Sequence, residues 1–455
     1  MALLRALLLL LLAAAPAQAG PVVLISVDGM LPAYYLEADK LGLQIPNIRA
    51  LCREGVRAQG ATSVMPSVTF PSHTTMITGV NPSKHGILNN SIFDPDGALG
   101  GGWYFYYDDV KAPTLFSAAR AAGLRAAAVT WPVTAGAPLE LNLPDMYPVP
   151  TVREAKNLIA LTRTGSKPDL LADLLVPKAL IDMRDDLRGK VAVRFLGERP
   201  DFLAVHLLEL DEAQHKFGPR SPEALATLER LDGILGNIFD GLRALGRWDE
   251  TTVVLLSDHG FFAVHHQIHL TALLRTLGLV QLDGQGNLVS WKAMVAPSSG
   301  TAALVMHPKA TAEDRRKVDD AVRLLLGNPA YGVGRAYRGA ELAATGGFAG
   351  AYVVLEALPG HIFVKGGEAQ PLVAPTSNFN GAHGYDPRRP EMRASFIIRG
   401  PKIRRGKEIG LVRLLDVAPT VARVLGIDLK GEGRVLTEVF EGVSLESVRK
   451  EPYRR

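Results

Sequence analysis

Three segments of the chain are apolar at nearly every position: residues 21–27 (PVVLISV), 201–208 (DFLAVHLL) and 251–256 (TTVVLL). Strands that are apolar on both faces are typical of the interior of a parallel sheet covered by helices. A fourth run, residues 124–131 (LRAAAVTW), follows a helical pattern at 112–122 and completes a helix-to-strand unit. The pattern therefore predicts an α/β fold with a mostly parallel central sheet flanked by helices.

Two stretches depart from this pattern. Residues 134–199 begin Pro-rich and continue with helical periodicity at 168–196, which predicts either an inserted cap or an irregular crossover. Residues 298–375 contain a strand (SGTAALVMH), an amphipathic helix (AEDRRKVDDAVRLLLG) and two further strands (AYVVLEA and HIFVKG). We expect one domain over residues 20–455 with insertions at about 134–199 and 298–375, the second a small subdomain that returns to the sheet at His383. A last apolar-periodic helix, in LLDVAPTVARVLGI, should end at Gly426.

Residues 1–19 (MALLRALLLLLLAAAPAQA) have the form of a secretory signal peptide cleaved after Ala19. A membrane anchor is the alternative, but the apolar run is shorter than the roughly 20 residues that a spanning helix needs. The prediction is a mature protein without a transmembrane segment, located in the periplasm or secreted.

Composition excludes some classes of function. The net charge of +4, with no concentrated basic run, does not indicate nucleic acid as an obligate partner. Cys52 is the only cysteine, so an intramolecular disulfide cannot form, and we expect a small buried apolar residue in a helix.

Candidate metal ligands follow the three apolar strands directly. Asp28 follows the first, Asp211 the second, and the pair Asp258 and His259 the third, and the carboxyl ends of parallel strands meet at one edge of a sheet. Carboxylate and imidazole ligands without thiolate favour zinc, with manganese or another divalent ion left open. Six such residues are enough for a site with two divalent metal ions. They are Asp28, Asp211, His215, Asp258, His259 and His383.

Each of these signals alone has a structural explanation. Asp211 and His215, four residues apart, resemble a helix N-cap and a surface histidine, and SDHG resembles a plain strand-end turn. Only the combination favours a metal site. Three more histidines, His265, His266 and His269, lie just after SDHG, and we expect them on a loop or a helix face, with surface metal chelation as the alternative.

Thr69 stands before Phe70 and Pro71, and proline favours the first turn of a helix. The sequence predicts Thr69 as the N-cap of a helix that ends near Gly79. A capping threonine explains the position, yet a helix N-terminus also favours an anion, and a metal beside the hydroxyl would stabilise its alkoxide. The two roles are compatible.

The motifs VDG, TFPSHTTMITG, HGILNN, DEAQHKFGP, SDHG and GAHGY occur in this order over residues 22–400. Together they resemble the nucleotide pyrophosphatase/phosphodiesterase family of the alkaline phosphatase superfamily. The resemblance implies an alkaline-phosphatase-like fold and a phosphodiesterase or nucleotide pyrophosphatase that works through a covalent intermediate on Thr69. It also implies two zinc ions, one held by Asp28, Asp258 and His259 and the other by Asp211, His215 and His383. Thr69 would be bound to zinc as well.

The same resemblance assigns a phosphate-binding role to Asn90, with Asn89 as the nearby alternative. Asn90 and the backbone N–H of Phe70 would form a donor pair for a phosphate oxygen. Phe70 would line a pocket for a base or other leaving group, and Trp131 and Tyr147 are candidates for further aromatic walls. All three aromatic residues have a core position as their alternative.

Differences from related families reduce the number of reactions that the site could catalyse. The only cysteine lacks the setting of a sulfatase nucleophile, and the segment TWPVTAGAP offers no Lys or Arg to hold additional phosphate oxygens. A phosphodiester substrate, such as a nucleotide, is therefore preferred. A phosphomonoesterase or phosphonate hydrolase is the alternative on the same site, and a catalytically inactive metal- or nucleotide-binding protein is the alternative of another class.

Overall fold

The computed structural model describes residues 20–99, 101–146, 148–181, 183–285, 287–366 and 371–442. The predicted signal peptide and Tyr147 lie outside the described residues. The strands are β1 Val22–Val27, β2 Val56–Thr62, β3 Ala126–Val129, β4 Leu141–Leu143, β5 Arg163–Thr164, β6 Phe202–Leu207, β7 Thr252–Leu256, β8 Phe262–Ile268, β9 Val280–Leu282, β10 Leu288–Trp291, β11 Ala293–Ser298, β12 Thr301–Met306, β13 Val333–Tyr337, β14 Val353–Ala357, β15 Gly360–Phe363, β16 Val373–Pro375, β17 Gly381–Ala382, β18 Phe396–Arg399 and β19 Lys407–Arg413.

The helices are α1 Ala33–Leu36, α2 Pro46–Glu54, α3 Thr69–Thr78, α4 Pro82–His85, α5 Leu115–Ala121, α6 Val152–Leu161, α7 Pro177–Leu180, α8 Asp185–Gly197, α9 Glu209–Phe217, α10 Pro222–Ala244, α11 Leu270–Thr276, α12 Ala312–Gly327, α13 Gly339–Ala344 and α14 Val417–Leu425. Within the described ranges, none of these helices is long and apolar enough to span a bilayer.

The central sheet has nine strands in the order β19-β2-β18-β7-β1-β6-β3-β4-β5. The five strands from β7 to β4 run parallel, with β1 paired to both β6 and β7. Their carboxyl ends consequently lie at one edge. The predicted α/β fold with a mostly parallel sheet is confirmed, and each of the four predicted strands is present.

Successive side chains of β1 point to opposite faces of the sheet, and both faces are buried, which explains why the strand is apolar throughout. Val23, Ile25 and Val27 belong to a buried cluster that includes residues of α2, α8 and α10. Val22 and Leu24 belong to a second cluster that includes residues of α3, α5 and α14. Both faces of the sheet are covered, so a polar residue on either face would be buried without water.

Residues 134–199 extend the main sheet through β4 and β5 and then return through α8 to β6. The helical periodicity predicted for 168–196 is wrong over its first half, where the short helix α7 is the only helix among the described residues. Pro177 explains part of the break, since proline has no N–H to bond back to a preceding turn.

Residues 293–357 form a separate antiparallel sheet, β11-β12-β14-β13, with α12 alongside. This sheet contacts the loop that carries His383, whose carbonyl accepts a hydrogen bond from the N–H of Gly300. Gly384 adopts φ +85°, and a Cβ there would lie 2.0 Å from the carbonyl oxygen of Ser298. Only glycine fits this contact, which fixes the position of the His383 loop.

Candidate active site

Two carboxylates and one imidazole meet where β1 and β7 end. Nε2 of His259 lies 3.3 Å from Oδ1 of Asp28 and 3.1 Å from Oδ2 of Asp258. Asp28, Asp258 and His259 are all buried. The sequence prediction placed these residues together because each follows a parallel strand, and the structure brings them together at that edge.

The second group of predicted ligands lies beside the first. In α9, Nε2 of His215 is 3.2 Å from Oδ2 of Asp211, and Nε2 of His383 is 3.7 Å from Oδ1 of Asp211. The rings of His259 and His383 stack with their centroids 3.6 Å apart. Ligand atoms of Asp211, His259 and His383 lie within 4.8 Å of one another, so His259 borders both groups.

Several ligand atoms of these groups lack the partners that buried polar atoms normally have. Within the described residues, no hydrogen bond reaches the buried Oδ1 of Asp28, Oδ1 of Asp211, Oδ2 of Asp258 or Nε2 of His259. Burial, and next the carboxylate of Asp258, raise the pKa of Asp28 well above its ordinary value. Clustered buried carboxylates with unsatisfied oxygens are costly unless cations neutralise them. The donor set therefore fits two divalent metal ions with oxygen and nitrogen ligands.

The backbone orients the candidate ligand histidines. Nδ1 of His215, His259 and His383 lies 2.8, 3.2 and 3.1 Å from the carbonyl oxygens of Gly381, Gly260 and Ser67, respectively. An Nδ1–H that donates to a carbonyl leaves Nε2 as the lone-pair nitrogen, and Nε2 is the atom turned toward the carboxylates. This tautomer is the one that can bind a metal.

Sequence reasoning missed His206. This residue of β6 is fully buried, with Nε2 3.0 Å from Oδ2 of Asp28 and Nδ1 3.1 Å from the carbonyl of Thr130. It fixes the orientation of the Asp28 carboxylate. A histidine inside an otherwise apolar strand, in DFLAVHLL, was the available signal.

Thr69 is the first residue of α3, and its predicted place as the N-cap is wrong. The N-cap is Val68, in an extended conformation, and its carbonyl accepts the N–H of Ser72. Thr69 lines a cavity of about 280 Å³ together with Asp28, Asp211 and His383. The residue thus lies at a helix N-terminus in the same cavity as members of both groups of candidate ligands, and a helix N-terminus favours negative charge.

Asn90 lines the same cavity, and its amide is fixed by Phe70: the backbone N–H of Phe70 donates to Oδ1 of Asn90 over 2.8 Å. This differs from the predicted donor pair, because the Phe70 N–H is already engaged and only the Asn90 NH₂ group remains as a donor. Asn89 does not line the cavity in the described residues. Its side chain donates to the carbonyl of Pro297 and accepts the N–H of Asn90.

The aromatic wall of the cavity differs from the prediction. Phe70 lines the cavity as expected, but Trp131 is fully buried in the core, edge-to-face with His73 at 4.9 Å. The prediction of Trp131 as a substrate-binding residue is therefore wrong. Trp103, which sequence reasoning missed, lines the cavity and packs edge-to-face on Phe70 at 5.3 Å. Hydrogen bonding of the Tyr104 N–H to the Asn90 carbonyl holds this aromatic segment beside Asn90.

Further cavity residues missed from the sequence are Asp145, Leu208 and Glu212. Of the three histidines expected on a loop or helix face, His265 and His266 are instead exposed residues of strand β8. His269 lies in the loop between β8 and α11, as expected, and is buried there. None of the three lines the described cavity.

Comparison with known proteins agrees with the motif pattern. Residues 22–386 match the family model of type I phosphodiesterases / nucleotide pyrophosphatases. Human ectonucleotide pyrophosphatase/phosphodiesterase family member 1 is 30% identical over 246 residues, which cover 53% of this chain and 23% of the relative. A venom phosphodiesterase from Macrovipera lebetinus is 30% identical over 251 residues, covering 53% and 25%. The chain thus spans about a quarter of the length of these relatives.

Solved structures share the fold. Murine ectonucleotide pyrophosphatase/phosphodiesterase 5 superposes with a TM-score of 0.66 at 18% identity, over 92% of this chain and all of that one. An inactive variant of the same murine protein, solved in complex with AMP, gives a TM-score of 0.65. At this identity the likeness concerns the fold, which agrees with the alkaline-phosphatase-like fold implied by the motifs. The match of the family model over most of the sequence shows that the chain belongs to the type I phosphodiesterase / nucleotide pyrophosphatase family.

Proposed function

We propose that this protein is a phosphodiesterase that cleaves phosphodiester or pyrophosphate bonds through a covalent intermediate on Thr69. The observation that carries the proposal is the shared cavity. Thr69 and Asn90 line one space of about 280 Å³ together with Asp28 of the first candidate metal group and Asp211, His215 and His383 of the second. That volume suits a phosphoryl group with part of its organic substituent.

The proposed roles follow from chemistry and position. The Thr69 oxygen attacks phosphorus as the bond to the leaving oxygen breaks, and water then cleaves the Thr69–phosphorus bond and restores the hydroxyl. The NH₂ group of Asn90 donates to a nonbridging phosphate oxygen on which charge develops. Two zinc ions held by the predicted ligands would supply positive charge that acidifies the Thr69 hydroxyl and water and stabilises the leaving oxygen.

His206 and His73 act through other residues. His206 holds the Asp28 carboxylate, and Nδ1 of His73 lies 2.8 Å from the carbonyl of Thr69 while its Nε2 lies 2.9 Å from Oγ of Ser26. Both rings are fully buried. We assign them to positioning Asp28 and the first turn of α3.

A nucleotide is the substrate class we favour, since a structural neighbour was solved with AMP. The choice between diester and monoester is tested first, with the purified protein assayed on bis-p-nitrophenyl phosphate and on p-nitrophenyl phosphate. We expect faster release of nitrophenol from the diester. Faster release from the monoester would favour a phosphomonoesterase, and turnover of neither would favour a binding protein.

We also propose export from the cytoplasm, supported by the signal-like sequence of residues 1–19. N-terminal sequencing of protein expressed with its full leader should begin at Gly20. An N-terminus at Met1 on cytoplasmic protein would contradict export.

A further inference from the structure

One buried phenyl ring contacts imidazoles of both candidate metal groups. The ring centroid of Phe261 lies 5.8 Å from that of His259, which belongs to the first group. It lies 5.0 Å from that of His215 and 5.3 Å from that of His383, which belong to the second group. The interplanar angles are 61°, 71° and 69°, respectively, so all three contacts are edge-to-face. Aromatic rings attract one another in this geometry.

The position of the Phe261 ring is itself fixed by the backbone around it. The N–H of Phe261 donates to the carbonyl of Glu391 over 3.0 Å, and the N–H of Gly260 donates to that of Met392 over 3.1 Å. On another side the ring packs against Gly29, where a Cβ would lie 2.5 Å from Cε2 of Phe261. The ring is 3% exposed, and it therefore forms a rigid apolar support beside the candidate ligands.

The ligand histidines need such a support in addition to their hydrogen bonds. The bond from Nδ1 to a carbonyl fixes one atom of each imidazole, but the ring can still tilt about that bond, and tilting moves Nε2. A packed neighbour restricts the tilt and keeps water away from the site. The rings of His259 and His383 also stack on each other, so a tilt of one ring would displace the other.

We propose that Phe261 is a positioning residue that holds the imidazoles of both candidate metal groups in their metal-binding orientation. Its side chain has no ligand atom and no hydrogen-bonding atom, so it acts only through the three histidines that it contacts. The inference rests on the two-metal site of the proposed function. It adds to that site a residue on which the binding of both ions depends.

Zinc affinity tests the proposal without turnover. Metal-free protein is prepared by chelation and titrated with Zn²⁺ in competition with a chromophoric chelator, which gives the affinity for each of two ions. Phe261→Leu replaces the ring by a smaller side chain, and Phe261→Met replaces it by a flexible one that fills the space better. We expect each variant to bind both ions roughly tenfold or more weakly, because loss of a group that orients metal ligands has effects of this size.

The Co²⁺-loaded protein provides a second readout. The visible absorption of bound Co²⁺ depends on the geometry of its ligands, so the spectrum should change in both Phe261 variants. This measurement reports ligand orientation even where a variant still binds two ions.

Phe239→Leu is the matched control. Phe239 is 1% exposed, belongs to the same buried cluster as Phe261 and packs on Trp248 with the ring centroids 5.3 Å apart. Replacement of either phenyl by leucine removes buried apolar volume, so both variants should unfold at lower urea concentration than wild type. The control should nevertheless keep the wild-type zinc affinity and Co²⁺ spectrum.

Three results would overturn the proposal: wild-type zinc affinity and Co²⁺ spectrum in both Phe261 variants, weakened binding of only one ion, or an equal loss of affinity in Phe239→Leu. In each of these cases wild-type protein that binds two zinc ions leaves the proposed function intact. Wild-type protein that binds no zinc would overturn the two-metal site and the role of Phe261 together.

Discussion

The backbone N–H of Phe70 donates a 2.8 Å hydrogen bond to Oδ1 of Asn90. This bond ties the residue after the proposed nucleophile to the proposed phosphate-binding amide. Because the oxygen of the amide is engaged, its NH₂ group is directed away from the helix backbone as the free donor. In the proposed mechanism, attack and stabilisation of charge would thus depend on one fixed unit at the N-terminus of α3.

Replacement of Asn90 tests this unit. Asn90→Ala removes the donor, and Asn90→Asp keeps an acceptor for the Phe70 N–H but puts a negative charge where a phosphate oxygen binds. We expect Asn90→Ala to lower kcat on bis-p-nitrophenyl phosphate about 10²- to 10³-fold and Asn90→Asp to lower it at least as much. Asn287→Ala, at an exposed turn, is the control, and wild-type kcat in Asn90→Ala would rule out this role.

The two groups of candidate ligands predict how many metal ions the protein binds. We expect about two divalent ions per chain by elemental analysis of the purified protein, and about one after His383→Ala, because the second group loses a ligand. Chelation should abolish activity, and added zinc should restore it. His361→Ala, which lies outside both ligand groups, should retain two ions. One ion or none in active wild-type protein would contradict the two-metal site.

The two tryptophans should respond differently to substitution. Trp131 is fully buried, so Trp131→Ala should lower the free energy of unfolding by about 3–5 kcal/mol. Trp103 is partly exposed at the cavity, so Trp103→Ala should cost little stability and raise KM for an aryl diester roughly tenfold. Urea unfolding and steady-state kinetics measure the two effects. A destabilised Trp103→Ala with unchanged KM would exclude the cavity role.

Burial makes His85 a source of acid sensitivity by lowering its pKa to about 3, against an ordinary value of 6.5. Its Nε2 lies 3.1 Å from Oγ1 of Thr75, and its Nδ1 accepts the N–H of Ile87. Since the unfolded chain binds a proton at higher pH than the folded chain, the contribution of His85 to stability is complete above pH 6.5 and lost as pH falls toward 3.

The expected loss from this one group is about 2 kcal/mol of unfolding free energy between about pH 7 and pH 5. Urea unfolding of wild type and His85→Gln at both pH values measures it. The variant should be less stable at the higher pH and show the smaller decrease on acidification. An equal decrease in both proteins would show that His85 does not contribute.

The sequence predicted the elements whose periodicity is set by burial on both sides. Strands β1, β6 and β7 were recognised because each is apolar throughout, and Asp28, Asp211 and Asp258 followed as neighbours because parallel strands end at one edge. The exact start of helix α3 could not be predicted from periodicity. Whether Val68 or Thr69 is the N-cap depends on the backbone conformation of these two residues, which the sequence does not determine.

Contacts between distant segments were the least predictable. Trp131 ends an apolar strand, and the choice between core and cavity depends on where α3 places His73, 58 residues earlier in the chain. Trp103 reaches the cavity because an irregular loop folds back on Asn90, and loops carry no periodic signal. His206 could have been suspected from its apolar surroundings, but its partner Asp28 is 178 residues away.

The most direct test of the proposed mechanism is kcat on bis-p-nitrophenyl phosphate for Thr69→Ala, measured beside wild type and Thr69→Ser at equal metal content. A covalent mechanism through Thr69 predicts a fall of at least about 10⁴-fold for Thr69→Ala, because no other hydroxyl replaces the nucleophile, with partial activity in Thr69→Ser. Activity of Thr69→Ala within about tenfold of wild type would contradict a covalent mechanism through Thr69.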